Sequence, residues 1–216
     1  MGFSIHGISA DDEAGWDVAG GSDVNGDGLL DLVIGAPSAY NGVDRTGAAY
    51  VVYGKKTTNS IQLSDIATGN GGFVIKGNAS SEQSGRSVSN AGDVNGDGLD
   101  DILIGAHGND DGGADAGKAY LMLSSSLTPG TMSLANADYS FIGEESGDRA
   151  GKFVLIIEDI DGDGTDELLI SAPYSDENGI DSGNPSADSG KLLILSLQKL
   201  SLIPRTGRSF LKLDFR

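Results

Sequence analysis

One type of segment occurs three times along the 216-residue chain, and this repetition constrains the fold more than any single motif. Each copy carries a Gly-x-x-Val motif, an acidic loop, a short apolar run and, further on, a second run rich in Tyr, Val or Leu. The acidic loops cover residues 23–31, 93–101 and 159–167, so the copies begin 70 and then 66 residues apart. Such repeats indicate sheets that stack on one another.

Each copy is predicted to contain four strands. Apolar runs of four to six residues bounded by Gly, Asp and Pro are typical of strands, and no sustained 3.6-residue stripe indicates a long helix. The fourth strand is predicted just ahead of each copy, at residues 2–7, 72–77 and 139–143. The run Leu32-Val33-Ile34 does not alternate, which indicates a strand covered on both faces. The sequence therefore predicts an all-β fold of β-propeller blades, each a four-stranded antiparallel meander.

The predicted organisation is a series of blades followed by a tail: repeat 1 at 2–71, repeat 2 at 72–138, repeat 3 at 139–198, and a non-repeat basic tail at 199–216. The tail holds five Lys or Arg residues and one Asp. Three blades are fewer than the roughly four to eight that close a ring, and the first strand is one that finishes a preceding blade. We expect a partial propeller, either a fragment or a subunit that completes its ring by self-association.

Charge and composition exclude several classes of function. The chain has 32 Asp and Glu against 14 Lys and Arg, a formal net charge of −18. Such a surface repels nucleic acid and anionic membranes and favours metal ions or basic partners. The absence of cysteine excludes disulfides and Cys-based zinc sites. No run approaches the roughly 18 apolar residues that span a bilayer, so no membrane insertion is expected, and the N-terminus does not resemble a signal peptide.

The acidic loops predict three Ca²⁺ sites. In each nine-residue loop the side chains at positions one, three, five and nine offer oxygen, and position six is Gly. Ca²⁺ takes about six to eight oxygen ligands, and a tight loop with oxygens on alternate residues wraps them around one point. Position seven would contribute its backbone carbonyl. The predicted ligands are Asp23, Asn25, Asp27, Leu29 and Asp31 in the first loop, Asp93, Asn95, Asp97, Leu99 and Asp101 in the second, and Asp159, Asp161, Asp163, Thr165 and Glu167 in the third.

Two other interpretations of the loops were weighed. An EF-hand begins the same way but needs a Glu at position twelve and flanking helices, and here position twelve is Ile34, Ile104 and Ile170. Hairpin turns rich in Asp, Asn and Gly need no metal, but three copies at matching positions favour calcium.

The combination of Gly-x-x-Val, Asp-Val-Asn-Gly-Asp-Gly-x-x-Asp, an apolar strand and Gly-Ala-Pro resembles the FG-GAP repeat of the integrin α-subunit β-propeller and its bacterial relatives. The resemblance covers residues 2 to about 198. It implies calcium in the loops between the first two strands of each blade, and a partner-binding face at the opposite end. The loops on that face include residues 108–115 and 175–181. Where the family has Phe, this chain has Trp16, Arg86 and Lys152; Trp16 is expected to pack between blades.

Three functions remained open. The first is a non-catalytic, secreted or cell-surface module for adhesion or recognition, which binds a protein or glycan ligand on the face opposite the metals. The second, also suggested by the resemblance, is the accessory propeller of a secreted enzyme such as a phospholipase. The third is a purely structural spacer. An enzyme is disfavoured because only His6 and His107 could serve as general bases near neutral pH, and both are expected to be structural.

Overall fold

The computed structural model describes residues 2–42, 44–90, 92–175, 190–197 and 209–212. Its strands are, in chain order, β1 Ile5–His6, β2 Val18–Ser22, β3 Asp31–Ala36, β4 Ala48–Val52, β5 Ile61–Gln62, β6 Gly72–Lys76, β7 Ser87–Ser89, β8 Ile102–Ala106, β9 Lys118–Met122, β10 Gly130–Ser133, β11 Tyr139–Ile142, β12 Val154–Ile157, β13 Glu167–Ala172, β14 Lys191–Leu195 and β15 Ser209–Lys212. Short helices lie between strands at Leu63–Ala67 (α1), Ser124–Ser126 and Leu134–Asn136. The fold is therefore nearly all-β, as predicted.

Three larger sheets follow the three repeats. The first contains the antiparallel meander β2-β3-β4-β6, the second repeats it as β7-β8-β9-β11, and the third contains β12-β13-β14 within the described residues. The prediction of propeller-type sheets in a partial propeller is confirmed. The strands β6 and β11, assigned to the following sequence repeats, complete the first and second sheets. The sheets therefore end one strand later than the sequence repeats do.

A fifth strand, absent from the sequence prediction, joins the outer edge of a sheet in parallel. β10 pairs with β6, and β15 pairs with β11 in the same way. The short β5 has the same relation to β1. β5 and β10 lie before β6 and β11 in the chain, and β15 lies after β14; each pairs with an earlier strand of the chain. The strand Ser209–Lys212 lies within the predicted non-repeat tail, 199–216, whose bounds stay a prediction; the rest of residues 198–216 lies outside the described part.

The core consists of apolar layers between successive sheets. The first and second sheets pack through fully buried side chains. They include Val33, Phe73 and Ile75 of the first sheet and Ile102 and Ile104 of the second. A second layer joins the second and third sheets through residues such as Leu103, Leu121, Phe141, Leu168 and Ile170. Burying one such side chain contributes about 1.5 to 3 kcal/mol. These layers keep the three first strands side by side, which aligns the loops that follow them.

Glycines allow the backbones of successive sheets to touch. A Cβ on Gly35 would lie 1.9 Å from the carbonyl oxygen of Gly85, and a Cβ on Gly105 would lie 2.0 Å from that of Gly151. Both glycines begin the Gly-Ala-Pro or Gly-Ala-His turn. In the third repeat this position is Ser171, whose Oγ accepts from the N–H of Phe153 at 2.9 Å.

The far face of the third sheet is apolar and open. Leu192 and Ile194 are 57% and 48% exposed, although the residues at the same repeat positions, Ala119 and Leu121, are buried between the second and third sheets. Leu155 on β12 adds to this open face. An exposed apolar surface of this kind is typical of a sheet that packs against another surface.

Candidate metal centre

The three acidic loops occupy the same place in each sheet, between its first and second strands. They connect β2 to β3, β7 to β8, and β12 to β13. The first strands lie against one another, because Val154 and Ile156 of β12 donate backbone N–H groups to Ser87 and Ser89 of β7 at 3.2 and 2.9 Å. All three loops therefore emerge at one end of the stacked sheets.

The first Asp of each loop organises its backbone. The N–H groups of Asp27 and Gly28 donate to Asp23 at 3.1 and 2.7 Å. The same bonds reach Asp93 in the second loop and Asp159 in the third. A carboxylate that collects several N–H groups stabilises a tight turn before any ion arrives.

Two glycines in each loop take left-handed backbone conformations. At position six, Gly28 and Gly164 have φ of 83° and 91°, as the turn requires. At position four, Gly26 and Gly162 also have positive φ, of 73° and 78°. The turn was predicted at the glycine of position six but not at the glycine of position four.

The third loop brings four of its predicted ligands together. Asp159, Asp161, Asp163 and Glu167 each place one carboxylate oxygen so that all four atoms lie within 4.8 Å of one another. Oε2 of Glu167 accepts from the N–H of Ile160 at 2.8 Å, whereas the buried Oε1 has no hydrogen-bond partner. Four converging carboxylates with an unpartnered buried oxygen fit a hard divalent cation such as Ca²⁺.

The first two loops have the same backbone but a different acidic arrangement. Asn25 and Asn95 replace the third-position carboxylate, and no comparable group of three or more carboxylates converges elsewhere in the described ranges. At position nine, Asp101 accepts from the N–H groups of Val94 and Ser124 at 3.1 and 2.8 Å. Asp31 makes the equivalent bonds to Val24 and Gly54. These carboxylates stabilise the loop backbone through hydrogen bonds, and their role as Ca²⁺ ligands stays a prediction.

Burial and charge make the position-nine carboxylates unusual acids. The pKa of Asp101 is raised to about 7, chiefly by burial; the backbone N–H donors of Ser124 and Val94 oppose the shift, and the charges of Asp97 and Asp93 add to it. The pKa of Asp31 is also raised, again chiefly by burial. A cation placed among these groups would favour their charged forms and lower both pKa values.

The residue at position seven of each loop donates its backbone N–H to the carboxylate at position five. The N–H of Leu29 donates to Asp27 at 2.8 Å and that of Leu99 to Asp97 at 3.0 Å. Thr165 bonds Asp163 through both its N–H and its hydroxyl. These contacts orient the backbone of position seven, whose carbonyl remains a predicted ligand in all three loops.

Two residues missed by the sequence analysis connect neighbouring loops. Asp100, at position eight of the second loop, accepts from the N–H of Asp23 at 2.8 Å. Asp166, at position eight of the third, accepts from the N–H of Asp93 at 2.8 Å. Each loop thus fixes the first ligand residue of the loop before it. The acidic residue at position eight in two of the three copies was the only available signal.

A family model for the FG-GAP repeat matches residues 14–52, 84–122 and 153–195, more than half of the chain. The chain is an FG-GAP repeat protein. Each match begins within the turn or strand before an acidic loop and ends in the third strand of a sheet. The resemblance that the motifs indicated is therefore confirmed.

Curated relatives of this FG-GAP protein belong to two kinds. It is 31% identical over 181 residues to integrin alpha pat-2 of Caenorhabditis elegans, covering 77% of this chain and 13% of the relative. It is 30% identical over 175 residues to phosphatidylinositol-glycan-specific phospholipase D of Rattus norvegicus, covering 76% and 19%. The protein of that name from Mus musculus is 30% identical over 169 residues, covering 74% and 18%. The chain thus spans less than a fifth of the length of each.

Among the residues that the structure describes, no helix is long and apolar enough to cross a bilayer.

Proposed function

We propose that this chain is a calcium-binding, non-catalytic FG-GAP module for cell adhesion or extracellular recognition. The observation that carries the proposal is the convergence of four carboxylates in the third loop, within a loop backbone that is repeated three times. Calcium would neutralise these charges and hold each loop in one conformation. The proposed ligands are the fifteen residues predicted above, with three ions in all.

Rigid loops at one end of the sheets would stabilise the whole stack. Asp100 and Asp166 tie each loop to the preceding one, so an ion in one loop also restrains the first ligand of its neighbour. Extracellular modules bind Ca²⁺ with dissociation constants of about 10⁻⁴ to 10⁻³ M. The loops would be filled outside a cell, which supports a secreted or cell-surface location.

Similarity to an integrin alpha chain supports recognition as the role of this scaffold. The partner would be a protein or glycan bound at the end opposite the calcium loops. The acidic loop at 108–115 lies at that end, where Lys118 and Asp111 form an ion pair of 2.7 Å. The second acidic loop, 175–181, lies outside the described residues after Ser175.

A second candidate is the accessory propeller of a phospholipase-like enzyme. Two relatives carry the name phosphatidylinositol-glycan-specific phospholipase D, which favours this candidate. In both candidates the chain itself carries no catalysis: His107 is buried, and His6 lies in the short strand β1, where its Nε2 bonds Ser4. Binding of an adhesion ligand by the chain alone separates the first candidate from the second, and from a structural spacer.

Calcium titration calorimetry tests the proposal. We expect three ions for the unaltered protein and two for Asp163→Asn, which keeps the shape of a third-loop ligand and removes its charge. Asp44→Asn is the matched control, because Asp44 lies between β3 and β4, at the end of the sheet opposite the calcium loops, and this variant should leave three ions. No heat of calcium binding, or three ions in Asp163→Asn, would contradict the proposed sites.

A further inference from the structure

Cations and aromatic rings cluster at the end of the sheets opposite the calcium loops. Trp16, Arg86 and Lys152 occupy the same position in the three repeats, just before β2, β7 and β12. Because these strands lie side by side, the three residues stand at adjacent strand ends. With Arg149 and Tyr174 they form what we call the basic–aromatic cluster.

One contact within the cluster joins the first and second sheets, and another lies within the third. The guanidinium of Arg86 lies 4.4 Å from the ring centroid of Trp16. The ammonium of Lys152 lies 4.4 Å from the ring centroid of Tyr174 and donates to its hydroxyl at 2.7 Å. Trp16, expected to pack between blades, is instead 50% exposed with Arg86 over its ring. The rings hold the cations in place and leave their other donors available.

Carboxylates do not neutralise the two central cations. Within the described ranges Arg86 and Lys152 form no ion pair, whereas Arg149 pairs with Asp115 at 3.4 Å. Asp17 follows Trp16, but its two oxygens already accept from the N–H groups of Val18 and Val88. In a chain with a net charge of −18, two neighbouring cations with no ion-pair partner among the described residues are an exception.

A buried histidine lies beside the cluster, at the end of β8. His107 is 7% exposed, and its Nδ1 has no hydrogen-bond partner in the described structure. Its pKa is lowered to about 4, first by burial and then by the charges of Arg86, Arg149 and Lys152. Strand pairing explains these charges: Ser87, next to Arg86, pairs with Gly105, and Gly105 packs against Gly151, next to Lys152.

An apolar groove leads away from the cluster. It runs along the first strands and is lined by Val18, Val88, Phe153, Leu155 and Leu192, among others. The groove and the cations together present a long apolar surface with positive charge at one end. A ligand that fits both carries an apolar side chain next to an anion.

We propose that the basic–aromatic cluster binds a carboxylate of an acidic peptide segment, whose neighbouring apolar side chain enters the groove. Arg86 would hold the carboxylate through its planar guanidinium, and Lys152 would add a second donor. The acidic loop 108–115 lies at the same end, where Asp111 is paired with Lys118 and Asp115 with Arg149. The calcium loops lie farther away: a five-residue strand is about 16 Å long, about twice the Debye length of about 8 Å at physiological ionic strength. This proposal deepens and rests on the recognition function proposed above.

Fluorescence polarisation with a labelled peptide of alternating glutamate and leucine tests the site, in millimolar Ca²⁺. We expect binding at least tenfold tighter than for the same peptide with glutamine in place of glutamate. The double variant Arg86→Gln, Lys152→Gln should bind the glutamate peptide at least tenfold more weakly. The matched control Lys55→Gln, Lys56→Gln removes the same two charges from the calcium end and should bind within twofold of the unaltered protein.

The charge-preserving double variant Arg86→Lys, Lys152→Arg distinguishes loss of charge from loss of folding. It should bind the peptide more tightly than the glutamine double variant and more weakly than the unaltered protein, because the guanidinium no longer stands at position 86. Equal binding of the two peptides, or undiminished binding by the glutamine double variant, would overturn the site. Binding of dextran sulfate without binding of the glutamate peptide would overturn the assignment to a peptide. Calcium stoichiometry is measured on the same samples. Three bound ions without peptide binding would contradict the peptide site and leave the proposed calcium sites standing.

Discussion

Replacing Gly105 with Ala should separate the second and third sheets. The added Cβ would lie 2.0 Å from the carbonyl oxygen of Gly151, and real Cβ contacts stay above 3.0 Å. The sheets would have to move apart by about 1 Å, and the neighbouring atom is backbone, which cannot rotate away. Overpacking of a core costs about 1 to 3 kcal/mol, and occasionally more. A backbone clash of this depth places Gly105→Ala at about 3 kcal/mol of lost unfolding free energy.

The third repeat supplies the control. Ser171 occupies the position of Gly105, and no following sheet packs on it in the described residues. Ser171→Ala should cost only about 1 kcal/mol, since it removes the hydrogen bond to Phe153. Urea unfolding in millimolar Ca²⁺ measures the free energy of unfolding of both variants. In thermal unfolding, a loss of 3 kcal/mol corresponds to a decrease of about 6 to 12 °C in Tm for a chain of this size. Equal losses for the two variants would refute the argument that glycine permits contact between sheets.

Three further predictions concern the loops, the buried histidine and the open face. Asp166→Ala should cost about 1 to 3 kcal/mol in urea unfolding, because the N–H of Asp93 loses its acceptor, and it should weaken calcium binding at the second loop as measured by calorimetry. The neutral form of His107 is favoured in the fold, so its contribution to stability is complete above pH 6.5 and is lost as the pH falls toward 4. The loss is up to about 3 kcal/mol; His107→Pro, which restores the residue of the other two repeats, should lack it in urea unfolding between pH 7 and 4.5. If the open face of the third sheet mediates self-association, light scattering should give a concentration-dependent mass that Leu192→Lys lowers to the monomer; a monomeric unaltered protein would contradict this.

The sequence was sufficient to predict the strands that its own apolar runs define. The non-alternating run Leu32-Val33-Ile34 lies in β3, Asp31–Ala36, where Val33 and Ile34 on opposite faces are buried and Leu32 is 36% exposed. This worked because burial on both faces demands apolar residues at every position. The fourth strands were found for the same reason.

The parallel fifth strands could not be predicted in this way. β10 and β15 read Gly-Thr-Met-Ser and Ser-Phe-Leu-Lys and share no pattern. They pair through backbone N–H and C=O groups, which every sequence offers, so their position depends on the strand they reach. Without that knowledge, no strand was predicted at Ser209–Lys212, within the basic tail.

The sequence predicted where the candidate calcium loops lie but not how neighbouring loops contact one another. Spacing alone located the loops, and the structure brings together Asp159, Asp161, Asp163 and Glu167. The links made by Asp100 and Asp166 were missed because they cross between residues more than 70 positions apart. Contacts between copies depend on how the sheets stack, which a motif within one copy does not describe.

Thermal unfolding with and without calcium tests the central claim most directly. The comparison is between the unaltered protein and the triple variant Asp27→Ala, Asp97→Ala, Asp163→Ala, each in 10 mM Ca²⁺ and in chelator. With dissociation constants of about 10⁻⁴ to 10⁻³ M, each filled site adds about 1.4 to 2.7 kcal/mol, so the unaltered protein should unfold many degrees higher in calcium. The triple variant should lose most of that shift. An unaltered protein with the same Tm in calcium and chelator, or a triple variant that keeps the full shift, would contradict the assignment of calcium to these loops.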